Sequence, residues 1–538
     1  MTGILTAAEA RRLDESITRD HGIPSRTLME RAAAALVRCL TERTDLFPRG
    51  QVLVLCGGGN NGGDGFAAAR QLTCGEGCVP APVAVLYLGR LSPDGNPDTT
   101  RMSAECAHQY HRAVEAGVPI YPPEALDSLL PQCASVLDAV FGIGLQRPIA
   151  GVTAQVLASI DRSGLPVLAA DLPSGVSADS GEVLGVALRA VMTVTMFTLK
   201  PGLLLYPGAD LCGEIAVADL GAPSIEESIL GAGLRPYAHL ADEVLLRHIL
   251  PPRPRRTHKG DYGRLSLVCG SVGMAGAAVL AAEAALRSGA GLARVIAPEG
   301  NRTILQTSLP EAVLTLYGQD APALPPADGY VVGCGLGQSA EARQVLETVL
   351  SLSCPVPTVL DADALNLIAA HPELWNAPLL THPERCIVLT PHPAEMARLT
   401  GRSVSDILRD LPAAARILAA QRGVTVVLKD AHTVVAAPDG ESYISVAGNA
   451  GMSKGGAGDL LTGIIGSLLT QCRFRMAKGE LSPAQVAAAG VYLHGAAGDL
   501  AAERLGEYGM IPSDILRMLP QVTRSEQGNG SRTRLSRI

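Results

Sequence analysis

The stretch of the chain with the most chemical information is NAGMSKGGAGD, which occupies residues 449–459. It follows an alternating run typical of a strand, and apolar residues recur on one helical face after it, so a glycine-rich loop opens onto a helix. Gly455, Gly456 and Gly458 have no Cβ, so backbone N–H groups can turn towards an anion that the helix dipole also favours. The pattern predicts a phosphate-binding loop.

Asp459 is the last residue of this stretch and allows two interpretations. Its carboxylate can face a hydroxyl group beside a bound phosphate, where a general base would be useful. Asp459 can equally cap the helix that follows, as aspartate often does. The loop by itself leaves both interpretations open.

A second group of polar residues lies where three apolar strands of the first half are predicted to end. These residues are Asn60, Asn61, Asp64, Asp138, Asp171 and Ser174. Each residue alone fits a turn or a helix cap. In an open parallel sheet, however, ligands collect at the carboxyl ends of the strands. We therefore expect these residues to form one site.

Two series of short apolar runs, each alternating with helical segments, predict two parallel α/β sheets. We predict domains at residues 1–225 and 256–520, joined by a proline- and arginine-rich linker at 226–255. Residues 521–538 have no apolar period and are expected to be a disordered tail. Near the first strand the glycines match a dinucleotide fingerprint, but the next strand ends in Arg90 rather than in an acidic residue. The motif therefore gives only weak support for a plain Rossmann dinucleotide site.

The composition excludes several classes of function. The 538-residue chain has a net charge of −8 and no basic helix, so nucleic-acid binding is not expected. The first residues lack the order of a secretory signal, and charged residues interrupt the longest apolar runs. The twelve cysteines are mostly scattered singly, which favours a reducing compartment. We expect a cytoplasmic protein with small-molecule partners and no membrane contact.

With these motifs in order, the chain resembles the bifunctional NAD(P)H-hydrate repair enzymes over about residues 5–520. In the first half GNNGGDG, DAVFGIG and DLPSG resemble the hydrate epimerase. In the second half GCGLG, LDADALN, LTPHPAE, KDAHT and NAGMSKGGAGD resemble the ADP-dependent hydrate dehydratase. The resemblance implies a Rossmann-like three-layer domain followed by a ribokinase-like α/β domain. It also implies that the R and S forms of the hydrate are interconverted and that the S form is dehydrated with ADP, giving AMP and phosphate.

The resemblance also assigns residues of the first half. Asp171 would be its catalytic acid/base, and Asn61, Asp138 and Ser174 would hold a potassium ion. The hydrated dinucleotide would contact Asn60, Asn61, Gly62, Gly63, Asp64, Gly142, Ile143, Gly144, Leu145, Gln146, Arg147, Pro148 and Asp171.

In the second half the resemblance implies Asp459 as the catalytic base and ADP bound with Mg²⁺. The hydrate would contact Ala277, Gly337, His392 and Asp459. The nucleotide would contact Lys429, Asp430, Ala431, His432, Thr433 and Gly458. The implied partners are hydrated NADH and NADPH and ADP, and a homo-oligomer is expected.

The sequence departs from the family pattern at five positions. Cys334, Ala394, Asp430, Ala450 and Ala457 stand where we expect Pro, Gly, Gly, Pro and Thr or Ser. Of these, Asp430 matters most, because a carboxylate near phosphate groups costs affinity unless it points away.

The chemistry agrees with the resemblance. Water added to the dihydronicotinamide ring leaves a hydroxyl group on the carbon beside the ring nitrogen, and hydroxide is a poor leaving group. Phosphorylation makes phosphate the leaving group, which requires a base on the hydroxyl and donors around the phosphoryl group. No GxxxxGK[ST] loop is present, so a P-loop cannot supply those donors.

Two alternatives remain at this stage. Gly-Ala-Gly-Asp before a helix is also expected in a ribokinase-like vitamin or sugar kinase, which would leave the first half unexplained. The first domain can also be a nucleotide-binding regulator without chemistry of its own.

Overall fold

The computed structural model describes residues 2–222, 224–318, 322, 324–524 and 535–537. The chain divides between Tyr237 and Ala238 into two compact units, and residues 535–537 belong with the first. The predicted α/β class is found in both units. Among the described residues, no helix combines the length and the apolar character that crossing a membrane would require.

The first unit contains a parallel sheet with helices on both faces. The strands of this sheet are β2 (Gln51–Cys56), β3 (Val83–Tyr87), β4 (Ile120–Tyr121), β5 (Cys133–Ala139), β6 (Val167–Ala170), β7 (Met192–Met196) and β8 (Glu214–Ala218), whereas the short strand β1 (Gly3–Ile4) lies outside it. The order across the sheet is β8, β7, β6, β5, β2, β3, β4, and every neighbouring pair is parallel. Residues Leu535–Arg537 add a further parallel strand beside β8.

The helices of the first unit connect these strands. They are α1 (Ala7–Asp20), α2 (Ser25–Glu42), α3 (Asn60–Cys74), α4 (Ala104–Glu115), α5 (Leu126–Leu129), α6 (Gly151–Ser163), α7 (Pro201–Leu204), α8 (Gly208–Leu211) and α9 (Ile225–Gly231). The break between α1 and α2 includes Pro24, which is the N-cap residue of α2.

The alternation of side chains along β2 explains the three layers. Val52 and Val54 face one core, which also contains residues of α1 to α4, while Leu53 and Leu55 face a second core with residues of α5 and α6. Because successive residues of a strand point to opposite faces, an apolar run such as QVLVLC requires cover on both sides. The predicted three-layer arrangement is confirmed.

The second unit contains a larger sheet that is mostly parallel. Its strands are β9 (Ala238–Leu240), β10 (Arg264–Val268), β11 (Leu292–Pro298), β12 (Val313–Tyr317), β13 (Gly329–Val332), β14 (Thr358–Leu360), β15 (Ile387–Leu389), β16 (Thr425–Leu428), β17 (Thr433–Ala436) and β18 (Ser442–Ser445). The order is β9, β18, β17, β16, β15, β14, β13, β10, β11, β12. The strands from β16 to β12 are parallel, whereas β17 is antiparallel to both of its neighbours.

Helices cover this second sheet as well. They are α10 (Glu243–Ile249), α11 (Ala275–Arg287), α12 (Arg302–Ser308), α13 (Ala340–Leu350), α14 (Asp363–Ala370), α15 (Pro378–Thr381), α16 (Pro393–Thr400), α17 (Val404–Arg409), α18 (Leu411–Arg422), α19 (Ala457–Ala477), α20 (Pro483–Gly509) and α21 (Pro512–Thr523).

Close packing of α11 against α19 fixes the position of the predicted phosphate loop. A Cβ on Gly463 would lie 2.0 Å from the carbonyl oxygen of Ala281, so only glycine allows the two backbones to approach this closely. The small residues of α11 thus hold the first turns of α19 against the sheet.

Two stretches differ from the sequence-based expectations. Within the predicted linker, the strand β9 pairs with β18, and Leu245, Leu246 and Ile249 of α10 are buried in the core of the second unit. Within the predicted tail, residues 521–523 complete α21 and residues 535–537 form a strand. Residues 525–534 and 538 of that tail lie outside the described residues. The predicted limits of the two functional domains, 1–225 and 256–520, remain a prediction.

Candidate functional site

A cavity of about 610 Å³ opens at the carboxyl ends of the strands in the first unit. Of the residues predicted to bind the dinucleotide, those lining this cavity are Asn60, Asn61, Asp64, Gly142, Ile143, Gly144, Leu145 and Asp171. Gln146, Arg147 and Pro148 line a neighbouring cavity of about 330 Å³, which Gly144 and Leu145 share. The three predicted strand ends therefore meet at one place.

Gly62 and Gly63, the other two residues predicted to bind the dinucleotide, have packing roles. A Cβ on Gly62 would lie 1.9 Å from the carbonyl oxygen of Gly57, and one on Gly63 would lie 2.8 Å from the Met29 side chain. Both residues are buried in α3. They allow the first turn of α3 to fold tightly after β2, which places Asn60, Asn61 and Asp64 at the cavity.

Asp171 forms a buried ion pair with Lys200. Lys200 Nζ lies 2.6 Å from Asp171 Oδ1, and the Thr195 hydroxyl donates a hydrogen bond of 3.0 Å to the same oxygen. Asp171 has a φ of 68°, a conformation that costs energy in a non-glycine residue and often marks a functional position. Lys200 and Asp171 both line the cavity, and Lys200 is almost fully buried.

Two further acids face the same cavity from helices. Burial raises the pKa of Asp64 well above its ordinary value, and the nearby Asp171 and Asp14 raise it further. Burial also raises the pKa of Asp14, which Lys200 partly opposes. Burial thus disfavours the ionised form of both carboxyl groups.

Asp138 and Ser174 contact each other but do not line this cavity; they accept hydrogen bonds from the N–H groups of Val140 and Phe141, which do line it. The Ser174 hydroxyl donates to Asp138 Oδ1 at 2.6 Å, and the Ser174 N–H donates to Asp138 Oδ2 at 2.7 Å. Burial raises the pKa of Asp138 to about 6, and its hydrogen bonds oppose that rise. The buried amide nitrogen of Asn61 has no hydrogen-bond partner in the described part of the chain.

In the second unit, the glycine-rich stretch runs into α19 as predicted. Gly456, with a φ of 100°, is the N-cap residue of α19, and no side chain caps it. Asp459 therefore lies in the first turn of α19 and not at its cap. The structure does not support the helix-cap interpretation of Asp459.

A buried ion pair lies beside that first turn. Lys429 Nζ is 2.8 Å from Asp361 Oδ1, and the Thr462 hydroxyl donates to Asp361 Oδ2 at 2.6 Å. Burial alone would lower the pKa of Lys429, but Asp361 and Glu395 outweigh it, so the pKa is raised. A Cβ on Gly458 would lie 3.5 Å from Lys429 Nζ. The Lys429 ammonium group therefore lies next to the backbone of Gly458.

Asp459 has the properties expected of a general base. Its pKa is raised to about 6. Burial and the nearby Asp361 raise this pKa, whereas the Cys334 thiol and Lys429 lower it. Its pKa thus lies near neutrality, where a base is both largely ionised and able to accept a proton. The side chain is only partly buried, so it remains accessible.

The other residues predicted to contact the hydrate surround this group. His392 is the N-cap residue of α16. Its ring accepts a hydrogen bond from the Ala394 N–H, and its backbone N–H donates to the buried Glu395 carboxylate. Glu395 Oε2 in turn lies 4.0 Å from Lys429 Nζ. Gly337 donates its N–H to Asp363 at 2.7 Å.

Ala277, the fourth residue predicted to contact the hydrate, packs against the loop that contains Cys334. A Cβ on Gly335 would lie 2.8 Å from the Cβ of Ala277, so α11 closely contacts this loop.

The predicted nucleotide-binding residues 429–433 form the turn from β16 to β17. Asp430 and Ala431 are exposed, and His432 and Thr433 are half-buried. Because Asp430 is exposed, solvent can screen its charge.

Sequence reasoning missed several residues of both sites. Lys200, Thr195 and Asp14 were not singled out in the first unit, and Thr462 and Cys269 were not in the second. No motif marks Lys200, although a single lysine after an apolar strand in a chain with few such lysines is a weak signal. Asp14 lies on a helix far from the other residues in sequence, so spacing cannot place it.

Comparison with known proteins gives matches to both halves of the chain. Residues 265–521 match the family model described as NAD(P)H-hydrate dehydratase, and residues 25–202 match the model described as YjeF-related protein N-terminus. The bifunctional NAD(P)H-hydrate repair enzyme Nnr of Moorella thermoacetica is 36% identical over 540 residues, covering 97% of each chain. The enzyme of the same name from Escherichia coli is 37% identical over 477 residues, covering 88% of this chain and 85% of its own.

Among solved structures, one similar chain is the ADP/ATP-dependent NAD(P)H-hydrate dehydratase from Bacillus subtilis co-crystallised with ATP and Mg²⁺. It is 32% identical, with a TM-score of 0.46, and the match covers 53% of this chain and 98% of that one.

Proposed function

The chain belongs to the family of bifunctional NAD(P)H-hydrate repair enzymes, and from this premise we propose how its two units divide the work. The first unit epimerises the R and S forms of hydrated NADH and NADPH. The second unit dehydrates the S form with ADP, giving NAD(P)H, AMP and phosphate. The observation that carries the proposal is the position of Asp459, a carboxylate with a pKa of about 6 in the first turn of α19 beside Lys429.

In the dehydratase unit, Asp459 accepts the proton of the hydrate hydroxyl as that oxygen attacks the terminal phosphoryl group of ADP. The backbone N–H groups of Gly455 to Gly458 and the Lys429 ammonium group stabilise the charge on the transferring phosphoryl oxygens. AMP departs, and the ring nitrogen lone pair then expels phosphate as a carbon–nitrogen double bond forms. Loss of a proton from the adjacent ring carbon to the released phosphate restores the carbon–carbon double bond. The loop 429–433 holds the nucleotide, while Ala277, Gly337 and His392 contact the hydrate.

Mg²⁺ bound to ADP would neutralise phosphate charge in this unit. The carboxylates near Lys429 suit a hard cation, but Asp361 already contacts Lys429 and Thr462. Mg²⁺ commonly keeps several waters and binds through phosphates with few protein ligands, which this crowded donor set fits. Lys429 and the loop amides then provide the fixed positive groups.

In the epimerase unit, the hydrate hydroxyl leaves and returns on the opposite face of the ring. The ring nitrogen lone pair stabilises the intermediate, so the protein need only position the ring and move a proton. Asp171, held by Lys200 and Thr195, is the proposed acid/base. The buried acids Asp64 and Asp14 are close enough to Asp171 to affect one another's protonation.

Potassium is proposed as the resident ion of the epimerase unit. The carboxylate of Asp138, the hydroxyl of Ser174 and the amide oxygen of Asn61 are hard oxygen donors, which suit an alkali cation better than a transition metal. Asp138 is fully buried without a cationic side chain among its hydrogen-bond partners in the described residues. Bound there, the ion would supply the missing positive charge and hold the strand ends together.

We also propose a cytoplasmic location and a homo-oligomeric state, with small molecules as partners and with neither nucleic acid nor membrane. These proposals rest on the metabolite-repair family and on the net charge of −8.

The alternative, a vitamin or sugar kinase with a non-catalytic first domain, is not favoured. The relatives from Moorella and Escherichia coli align with both halves of the chain. A kinase would give no role to the Asp171 and Lys200 pair in a separate cavity.

The direct test incubates the purified chain with a mixture of hydrated NADH epimers and ADP. We expect dihydronicotinamide absorbance to return until both epimers are consumed, with one AMP and one phosphate formed per NADH. Recovery without AMP formation, or phosphorylation of a vitamin or sugar in its place, would contradict the proposal.

A further inference from the structure

Beside the proposed base of the dehydratase unit, three potential metal ligands of different chemistry converge. The Cys334 thiol and the carboxylates of Asp361 and Asp459 each place one ligand atom within 4.8 Å of the other two. We propose that this cluster is a binding site for zinc-like divalent metal ions, and that occupation of the site inhibits dehydration.

The ligand set selects the class of metal. A thiolate excludes Mg²⁺ and Ca²⁺, which take oxygen ligands, and favours zinc, cadmium or cobalt. Tetrahedral zinc with bonds of 2.0 to 2.3 Å requires ligand atoms about 3.5 Å apart. Small side-chain rotations therefore suffice to close the present arrangement around an ion. This site is chemically distinct from the Mg²⁺ that accompanies ADP.

The Cys334 thiol is held in place by its neighbours. Cys334 follows β13 and Cys269 follows the adjacent parallel strand β10, and the two fully buried thiols contact each other. Cys269 is not one of the three converging ligands. Three protein ligands and one water molecule would complete a tetrahedral set.

The surrounding charges favour a cation. Asp363 acts on Asp459, and Asp361 and Glu395 lie near Lys429, so carboxylates outnumber the Lys429 ammonium group among these residues. Lys429 and Thr462 each donate one hydrogen bond to an Asp361 oxygen, and every carboxylate oxygen has a second lone pair. Asp361 can thus bind a metal without losing either partner.

Binding would displace the Cys334 proton to solvent and form one metal–sulfur and two metal–oxygen bonds. No electron transfer is involved. Since Asp459 would be a ligand, it would no longer be free to accept the proton of the hydrate. The binding step stands without the proposed function, whereas the inhibition rests on it.

The test uses the full-length protein and Co²⁺ as a spectroscopic probe for zinc, without nucleotide. We expect a cobalt–thiolate charge-transfer band and tetrahedral d–d absorption in the wild type, and loss of the band in Cys334→Ser. Because even outer-shell changes cost about 10- to 100-fold in metal affinity, loss of this ligand should weaken Zn²⁺ competition at least about 100-fold. Cys386→Ser, a single-thiol change elsewhere in the unit, should keep the band.

A second readout compares the two activities of one sample. Zn²⁺ should inhibit dehydration and leave epimerisation unchanged, and the inhibited fraction in Cys334→Ser should fall relative to that variant's own metal-free rate. If Cys334→Ser does not fold, Asp459→Asn should weaken Co²⁺ binding while the thiolate band is retained at saturating Co²⁺, and an unchanged Co²⁺ affinity would overturn the proposal.

The proposal is overturned if the wild type shows no thiolate band, or if Cys334→Ser shows the same band as the wild type. A thiolate band in a protein that processes no hydrate would instead overturn the proposed function and leave the metal site standing.

Discussion

Replacing Asp459 with Asn should nearly abolish dehydration while it raises the stability of the protein. Loss of a general base typically lowers the rate by about 10²- to 10⁴-fold, and Asn cannot accept the hydroxyl proton. The glycine loop and Lys429 remain in place, so ADP binding should be largely intact. The stability change is what separates a catalytic role from a structural one.

The size of that stability change follows from the pKa of Asp459. The pKa rises from the ordinary aspartate value of 3.8 to about 6 in the folded protein. Between these two pH values the unfolded chain has already lost the proton that the folded protein retains, so stability falls as pH rises through this window. At 1.36 kcal/mol per pKa unit, the ionised carboxylate costs up to about 3 kcal/mol at pH 7. Asn removes this cost.

The pH dependence of the wild-type reaction should report the same group. Asp459 acts as a base only when ionised, so the dehydration rate should rise with pH up to about 6 and level off above it. About one pH unit above that value, roughly nine tenths of the molecules carry the ionised base.

The assay follows dihydronicotinamide absorbance and AMP, with ADP affinity by calorimetry and thermal unfolding at pH 7. Asp439→Asn, in the exposed turn between β17 and β18, is the matched control and should change neither property. Near-wild-type turnover of Asp459→Asn would refute the base assignment. Lost turnover together with lower thermal stability would show that Asp459 is a structural residue.

Three further predictions concern binding and domain independence. Lys429→Ala should raise the KM for ADP more than that for the hydrate, because the ammonium group faces the phosphate loop; equal effects in steady-state kinetics would indicate a structural lysine. Epimerisation, measured by separating the two epimers chromatographically, should respond to potassium and be indifferent to zinc chelators; strict zinc dependence would defeat the Asn61, Asp138 and Ser174 assignment. Fragments cut between Tyr237 and Ala238 should act separately, the first epimerising without ADP and the second dehydrating one epimer; equal consumption of both epimers by the second would leave the first unit without its proposed role.

Local sequence patterns predicted those parts of the sites that lie at strand ends. Asp138, Asp171 and Asp459 each follow an apolar run or a glycine loop, and side chains at such points meet because parallel strands end at one edge of the sheet. Periodicity likewise predicted the apolar face of α19. These features depend on residues that are close in sequence.

The residues that were missed depend on contacts between distant segments. Lys200 becomes part of the first site because its ammonium group pairs with Asp171 across two strand ends. Asp14 arrives on α1, and Cys269 meets Cys334 only because β10 and β13 are neighbours in a crossed-over sheet order. No spacing rule connects positions that the topology alone brings together. The left-handed backbone of Asp171 is invisible to sequence for the same reason, since surrounding contacts impose it.

The central claim, that one chain contains two independent active sites, is tested most directly with a single pure epimer. Full-length protein given only the R hydrate should form the S hydrate without ADP, and should convert everything to NADH once ADP is added. The Asp459→Asn variant should stop at the epimer mixture, whereas Lys200→Ala should leave the R hydrate to slow spontaneous inversion and still dehydrate the S hydrate at the normal rate. If Asp459→Asn abolished both activities, or if Lys200→Ala consumed the R hydrate as fast as the wild type, the two-site account would be contradicted.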